Sequence, residues 1–160
     1  MFYRILDFIK YLPREIKWFF QRGIRGYADC DCWAIDEWFD RVVIPMIQSL
    51  KENKHGYPVD MTEELWNIEL ERMIYYFTES TEEGCSEKNE YENVYDSIIW
   101  GEFTDNNEIV KKYLDRETQI DKYKYNMKQK GLKLFAKYFY NLWDWICHCW
   151  YFTQHKKEYY

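Results

Sequence analysis

Apolar residues return at intervals of three and four along two long stretches of this chain, and no stretch reads as a sheet. That spacing gathers side chains on one side of an α-helix, because each residue turns the helix by about 100°. In the first stretch Cys32, Trp33, Phe39, Val42, Val43, Met46, Ile47 and Leu50 recur, which predicts a helix from about Cys30 to Glu52. In the second, Leu132, Phe135, Ala136, Phe139, Leu142, Trp143, Ile146 and Trp150 make one stripe on an element expected from about Glu108 to Trp150. Lys133, Lys137, Asn141, Asp144 and His148 lie opposite that stripe. The expected class is all-α, a helical bundle with long amphipathic helices. Residues 1–160 are read as a single helical domain, large enough to bury a core.

Glycine, proline and capping residues punctuate the pattern. Residues 2–11 predict a short helix, and Pro13 is placed to open a second one that ends near Arg22, since proline is tolerated in a first turn. Gly23 and Gly26 mark a turn, and Asp29 is the expected N-cap of the helix that follows. Pro45 is expected to kink that helix by removing one backbone bond. The stretch KHGYPVDM reads as a loop, after which Thr62 caps a third helix with Leu65, Trp66, Leu70, Met73 and Phe77 on its buried side. Residues 79–93 are acidic and poor in apolar side chains, and are read as a mobile surface loop. VYDSIIWGEF is too brief to assign to helix or strand. Gly131 is a candidate break in the last helix, and 153–160 form a polar tail.

Composition narrows the function. A net charge of −6 argues against broad binding to nucleic acid, while leaving room for a small local basic pocket. Aromatic residues make up 21% of the chain, enough to supply both a core and flat faces on which a base can stack. Cys30, Cys32, Cys147 and Cys149 form two C-x-C pairs, but residues two apart on a helix point to nearly opposite sides, so neither pair converges on a metal. No metal and no cofactor are expected. The thiols read as reduced and cytosolic, since MFYRILDFIKYLPR lacks the unbroken apolar run of a secretory signal. No stretch reaches the roughly 20 apolar residues that cross a bilayer, and no membrane partner is expected. P-loop, G-x-G-x-x-G, G-x-S-x-G and H-E-x-x-H patterns are absent from the sequence, and no catalytic residue is assigned.

On the helical wheel Asp29, Asp36 and Asp40 fall close to Trp33, Val43 and Ile47, inside the apolar arc. A buried carboxylate needs a cation, hydrogen-bond donors or water. Asp29 is most simply a cap. Asp36 and Asp40 either pair with arginines such as Arg22, Arg25 or Arg72, or line a wet cavity and accept hydrogen bonds from a ligand's hydroxyls.

Three blocks, RGYADCDCWAIDEWFDRVVIPMIQSLK, HGYPVDMTEELWNIELERMIYYF and GLKLFAKYFYNLWD, resemble a family of small helical proteins encoded by tailed bacteriophages. The blocks cover less than half of the chain, and the family supplies no catalytic residues. The resemblance implies action in the host cytoplasm, by a protein that manipulates the host. One class of such proteins sequesters nucleotide immune signals, ADP-ribose derivatives or cyclic nucleotides, without catalysis. The competing classes are an enzyme that cleaves such a signal and a regulatory module that binds a host or phage protein.

A nucleotide-like ligand needs cations for phosphate, an aromatic face for a base and an acceptor for ribose. The turn GIRGY and the next helix start supply these types as Arg22, Arg25, Tyr27, Trp33 and Asp36. His55 and Tyr57 of the loop, and Arg72 of the third helix, complete the expected ligand site. A homo-oligomer is expected, joined by aromatics such as Tyr138 and Trp145 that lie beyond the main C-terminal arc.

Overall fold

A computed structural model describes residues 2–95 and 108–143, and the regular structure among these is all helix, joined by turns and loops with no strand. Its elements are α1 (Phe2–Arg25), a 3-10 turn (Asp29–Trp33), α2 (Ile35–Asn53), α3 (Glu63–Glu79), a second 3-10 turn (Glu92–Val94), α4 (Glu108–Tyr138) and a third 3-10 turn (Phe139–Asn141). Contacts divide the chain at Val42 into two compact units.

In the first unit α1 is one helix, not two, and Pro13 lies inside it. Proline removes one backbone bond there, and the turns on either side continue regardless. Gly23 is helical as well, so the turn falls to Gly26 alone. Gly26 has φ of 81°, a left-handed conformation that glycine adopts without a side-chain clash. Its N–H donates to the Arg22 carbonyl at 3.0 Å, which closes α1 with a left-handed cap. Arg22 and Arg25 occupy the last turn, where their charge suits the helix dipole.

The helix expected from Cys30 begins at Ile35 instead. Asp29–Trp33 form a 3-10 turn, and Ala34, with φ −141° and ψ 74°, breaks the path into α2. The residue before the turn is Ala28, with no side-chain cap, so Asp29 is not an N-cap. The break also resets the helical phase. Trp33 is 85% exposed and Asp36 is exposed, while Asp40 is buried. Of the three aspartates, only Asp40 keeps the buried position that a continuous helix predicts.

In the second unit, Thr62 caps α3 as expected, its Oγ1 accepting from the Leu65 N–H at 3.3 Å. Glu63 and Glu64 follow in the first turn, favourably placed against the dipole. Trp66, Leu70, Met73 and Phe77 are buried at four-three-four spacing, but Leu65 is exposed. This seam faces α4, which runs antiparallel to α3. Trp66 meets Tyr138 with ring centroids 5.4 Å apart, and Phe77 meets Phe135 at 6.1 Å. Towards the other end of α4 the Tyr123 hydroxyl donates to Glu79 at 3.0 Å.

The buried side of α4 consists of Val110, Ile120, Met127, Gly131 and Tyr138. Gly131 does not break the helix, and it is the point where Phe77 sits closest. The stripe expected further along is largely outward: Leu132, Ala136, Phe139 and Trp143 are exposed. Tyr138, expected outside the main arc, is buried. Ile146, Trp150 and Trp145, most of VYDSIIWGEF and the polar tail lie outside the described residues.

The acidic segment after α3 is laid along α4 rather than standing free. Arg116 reaches Glu87 at 2.7 Å and Glu90 at 3.1 Å, and Lys124 reaches Glu82 at 2.6 Å. Asn89 donates to the Tyr113 carbonyl at 3.1 Å and to Glu117 at 2.7 Å. Cys85, inside this segment, is buried.

Candidate functional site

The first unit is organised around a carboxylate that sequence reasoning did not single out. Asp31, the third residue of the 3-10 turn, is buried. Arg22 donates to both of its oxygens, Nε to Oδ2 at 2.9 Å and Nη2 to Oδ1 at 2.7 Å. Arg41 Nη2 donates to Oδ1 at 2.8 Å, and the Ala28 N–H donates to Oδ2 at 2.8 Å. Two guanidiniums and one backbone amide therefore converge on one carboxylate from α1, the turn and α2. The Arg22 guanidinium, helped by the Ala28 N–H and Arg41, holds the Asp31 carboxyl well below the usual range. Ala28 is itself fully buried, and its amide needs this acceptor.

Asp29 anchors a second, more exposed cluster. Its side chain accepts from Gln21 at 2.7 Å, from Arg25, and from Lys17 at 3.0 Å. These donors, Gln21 first, lower its pKa. Its own N–H donates to the Gln21 side chain at 3.0 Å. The two aspartates together fasten the turn to the last two turns of α1.

Of the residues expected to bind a ligand, Arg22, Arg25 and Tyr27 come together. Arg22 is committed to Asp31. Arg25 pairs with Asp29, donates to the Tyr27 carbonyl at 3.0 Å, and lies over the Tyr27 ring with its guanidinium carbon 4.6 Å from the centroid. Tyr27 is 42% exposed. Trp33 and Asp36 belong to the same unit and face outward. The arginines expected to serve Asp36 or Asp40 pair elsewhere, Arg22 with Asp31, Arg25 with Asp29 and Arg72 with Glu69. His55, Tyr57 and Arg72 are in the second unit. His55 and Tyr57 are exposed in the loop after α2, and Arg72 pairs with Glu69 one turn away at 2.9 Å.

Sequence reasoning missed Asp31, Arg41, Gln21 and Lys17. One signal pointed to Asp31: an acidic side chain three residues after a helix start can reach back to the first backbone N–H, which it does with Ala28. Among the described residues no cluster of three His, Cys, Asp or Glu could hold a metal ion.

A cleft of about 460 Å³ opens in the second unit, between α4 and the acidic segment. Tyr95 and Tyr113 line it, with Lys88 and Lys124 set against Glu82 and Glu117. Carboxylates outnumber cations along its walls, so it does not favour phosphate. No family model, curated protein or solved structure matches the chain.

Proposed function

We propose that this chain is a phage anti-defence protein that sequesters a small nucleotide-like signal, an ADP-ribose derivative or cyclic nucleotide, without altering it. The observation that carries the reading is the part-exposed Arg25–Tyr27 stack, in the same unit as the open indole of Trp33. Arg25 and Asp29 form a half-exposed ion pair. Such pairs are worth little, so a phosphate can take the guanidinium from the carboxylate at small cost. Tyr27 and Trp33 supply aromatic faces for a base. Arg22 is a positioning residue in this reading, because its donors already serve Asp31. The resemblance to small phage proteins supports the biological setting.

Calorimetric titration of the full chain with ADP-ribose and with cyclic dinucleotides tests this. Binding by the wild type, lost in Arg25→Ala and Trp33→Ala with unchanged melting temperatures, is the expected result. An Arg25→Ala protein that stays folded and keeps its affinity removes the site. A ligand released in altered form replaces sequestration with hydrolysis.

A second reading, a module that binds another protein, draws on the cleft in the second unit. Two tyrosine rings among glutamates suit a lysine or arginine side chain of a partner better than a nucleotide.

A further inference from the structure

Positive charge in this chain is gathered on the second half of α4. The chain carries −6, yet residues 122–143 hold six lysines and no acidic residue. At about 100° per residue, Lys122, Lys130, Lys133 and Lys137 fall within an arc of about 80°, turned away from the buried seam of Ile120, Met127, Gly131 and Tyr138. All four are exposed, and Asn126 and Gln129 lie between them on the same side. From Lys122 to Lys137 the helix rises about 22 Å, so the lysines form a line rather than a knot.

None of these four lysines forms an ion pair among the described residues. Arg116 and Lys124, which hold the acidic segment, fall outside the arc. Lys130 lies over the Tyr76 ring at 5.7 Å, and Lys137 over the Tyr138 ring at 4.4 Å, its ammonium donating to the Tyr138 hydroxyl at 2.7 Å. That hydroxyl first, and Glu69 through space, raise the Lys137 pKa, while Glu69 is itself paired with Arg72 at 2.9 Å. Exposed aromatic rings bracket the line. Tyr125, three residues after Lys122, is 64% exposed, and Tyr140, three after Lys137, is 88% exposed. A spacing of three returns a side chain to nearly the same side, both in an α-helix and in the 3-10 turn that carries Tyr140.

We infer that the second half of α4 binds single-stranded nucleic acid, with Lys122, Lys130, Lys133 and Lys137 on the phosphates and Tyr125 and Tyr140 stacked on bases. A cationic track flanked by flat rings matches a linear polyanion whose bases are unpaired, whatever its sequence. A duplex hides its bases from such rings, and an acidic peptide matches the charge but brings no base to stack on them. A lipid surface requires an apolar side that enters it, and the arc holds no aliphatic side chain larger than Ala136. None of the described helices is long and apolar enough to cross a membrane. The expectation against nucleic acid rested on net charge, which averages over a chain whose charges are segregated. The Arg25–Tyr27 stack belongs to the other unit, so this inference goes beyond the proposed function and does not depend on it.

Fluorescence anisotropy of labelled oligo-dT and oligo-U, each of about 12 nucleotides, titrated with the full chain tests the inference. The wild type is expected to bind both, with a log–log salt slope of roughly −3 for four phosphate contacts. Lys133→Gln should make that slope shallower by roughly 0.7, and Lys133→Gln with Lys137→Gln by twice as much. Tyr140→Ala should weaken binding by roughly tenfold and leave the slope unchanged. Lys88→Gln, an equal loss of charge at an exposed position of the acidic segment, should bind like the wild type. All these positions are exposed, and circular dichroism checks that each variant folds. A wild type that binds neither strand at low salt overturns the inference, as does a folded double lysine variant with the wild-type slope. Equal affinity for a duplex of the same length overturns the assignment to a single strand. Polyglutamate bound more tightly than either strand assigns the face to an acidic protein instead, and pelleting with phosphatidylglycerol vesicles in place of strand binding assigns it to lipid. Arg25→Ala should lose the nucleotide and keep the strand, so the two proposals fail separately.

Discussion

A β-carbon placed on Gly131 of α4 would lie 2.9 Å from the ring of Phe77 on α3. Phe77 is fully buried, so the ring has no free side to retreat to. Helix propensity alone favours alanine over glycine by about 1 kcal/mol. Overpacking a filled core costs roughly 1–3 kcal/mol. The clash should win, and Gly131→Ala is expected to lose about 1 kcal/mol net in a denaturant titration. Adding Phe77→Leu should restore the propensity gain, so the two changes will be non-additive.

Asp31 is the strongest test of the first unit. Asp31→Ala removes one acceptor from the buried Ala28 N–H and strands two guanidiniums. An unsatisfied buried donor costs roughly 1–3 kcal/mol. Asp36→Ala changes an exposed side chain and should stay within about 0.5 kcal/mol of the wild type. Equal melting temperatures for the two variants would refute the central role of Asp31.

The same carboxylates set an acid limit. Asp31, held down mainly by Arg22, and Asp29, held down mainly by Gln21, both titrate below their unfolded value in the native state. A depressed carboxyl contributes stability above its unfolded pKa of about 4 and loses it as pH falls through the folded value. Stability should therefore be flat with pH from neutrality to about 4 for these groups, and then decline. Unfolding followed at a series of acidic pH values should show a shallower decline for Asp31→Asn.

Arg116 fastens the acidic segment to α4. Its carboxylate partners are partly exposed, so Arg116→Ala should cost no more than about 1 kcal/mol of global stability. Amide exchange should nevertheless accelerate around residues 87–90 while the α3 amides stay protected. Unchanged exchange in that segment would mean Asn89 and Lys124 suffice to hold it.

The α3 seam was legible because Trp66, Leu70, Met73 and Phe77 are all apolar and Thr62 announces its start, although Glu79, buried at its far end, gave no such signal. The α4 seam was hidden, since glycine and tyrosine hold buried positions at Gly131 and Tyr138. An aromatic run that overlaps them, Phe135 to Trp143, gave a stronger signal, yet its Phe139, Tyr140 and Trp143 are exposed. Around Asp31 the failure has another origin. A single period was carried across Ala34, where the backbone leaves the helix, so residues before the break were assigned a face they do not share with α2. The ion-pair hub could not be read from spacing, because it joins three elements through side chains.

Up to Val42, the buried side chains among the described residues are Ala28, Asp31 and Asp40, whereas the second unit buries Trp66, Leu70, Met73 and Phe77. One interior is held by charge and the other by the exclusion of water. Protons and salt act on the first, and cold weakens the second. Solution conditions can therefore loosen either half of this chain by a different lever, and acid is the one that reaches the half carrying Arg25, Tyr27 and Trp33.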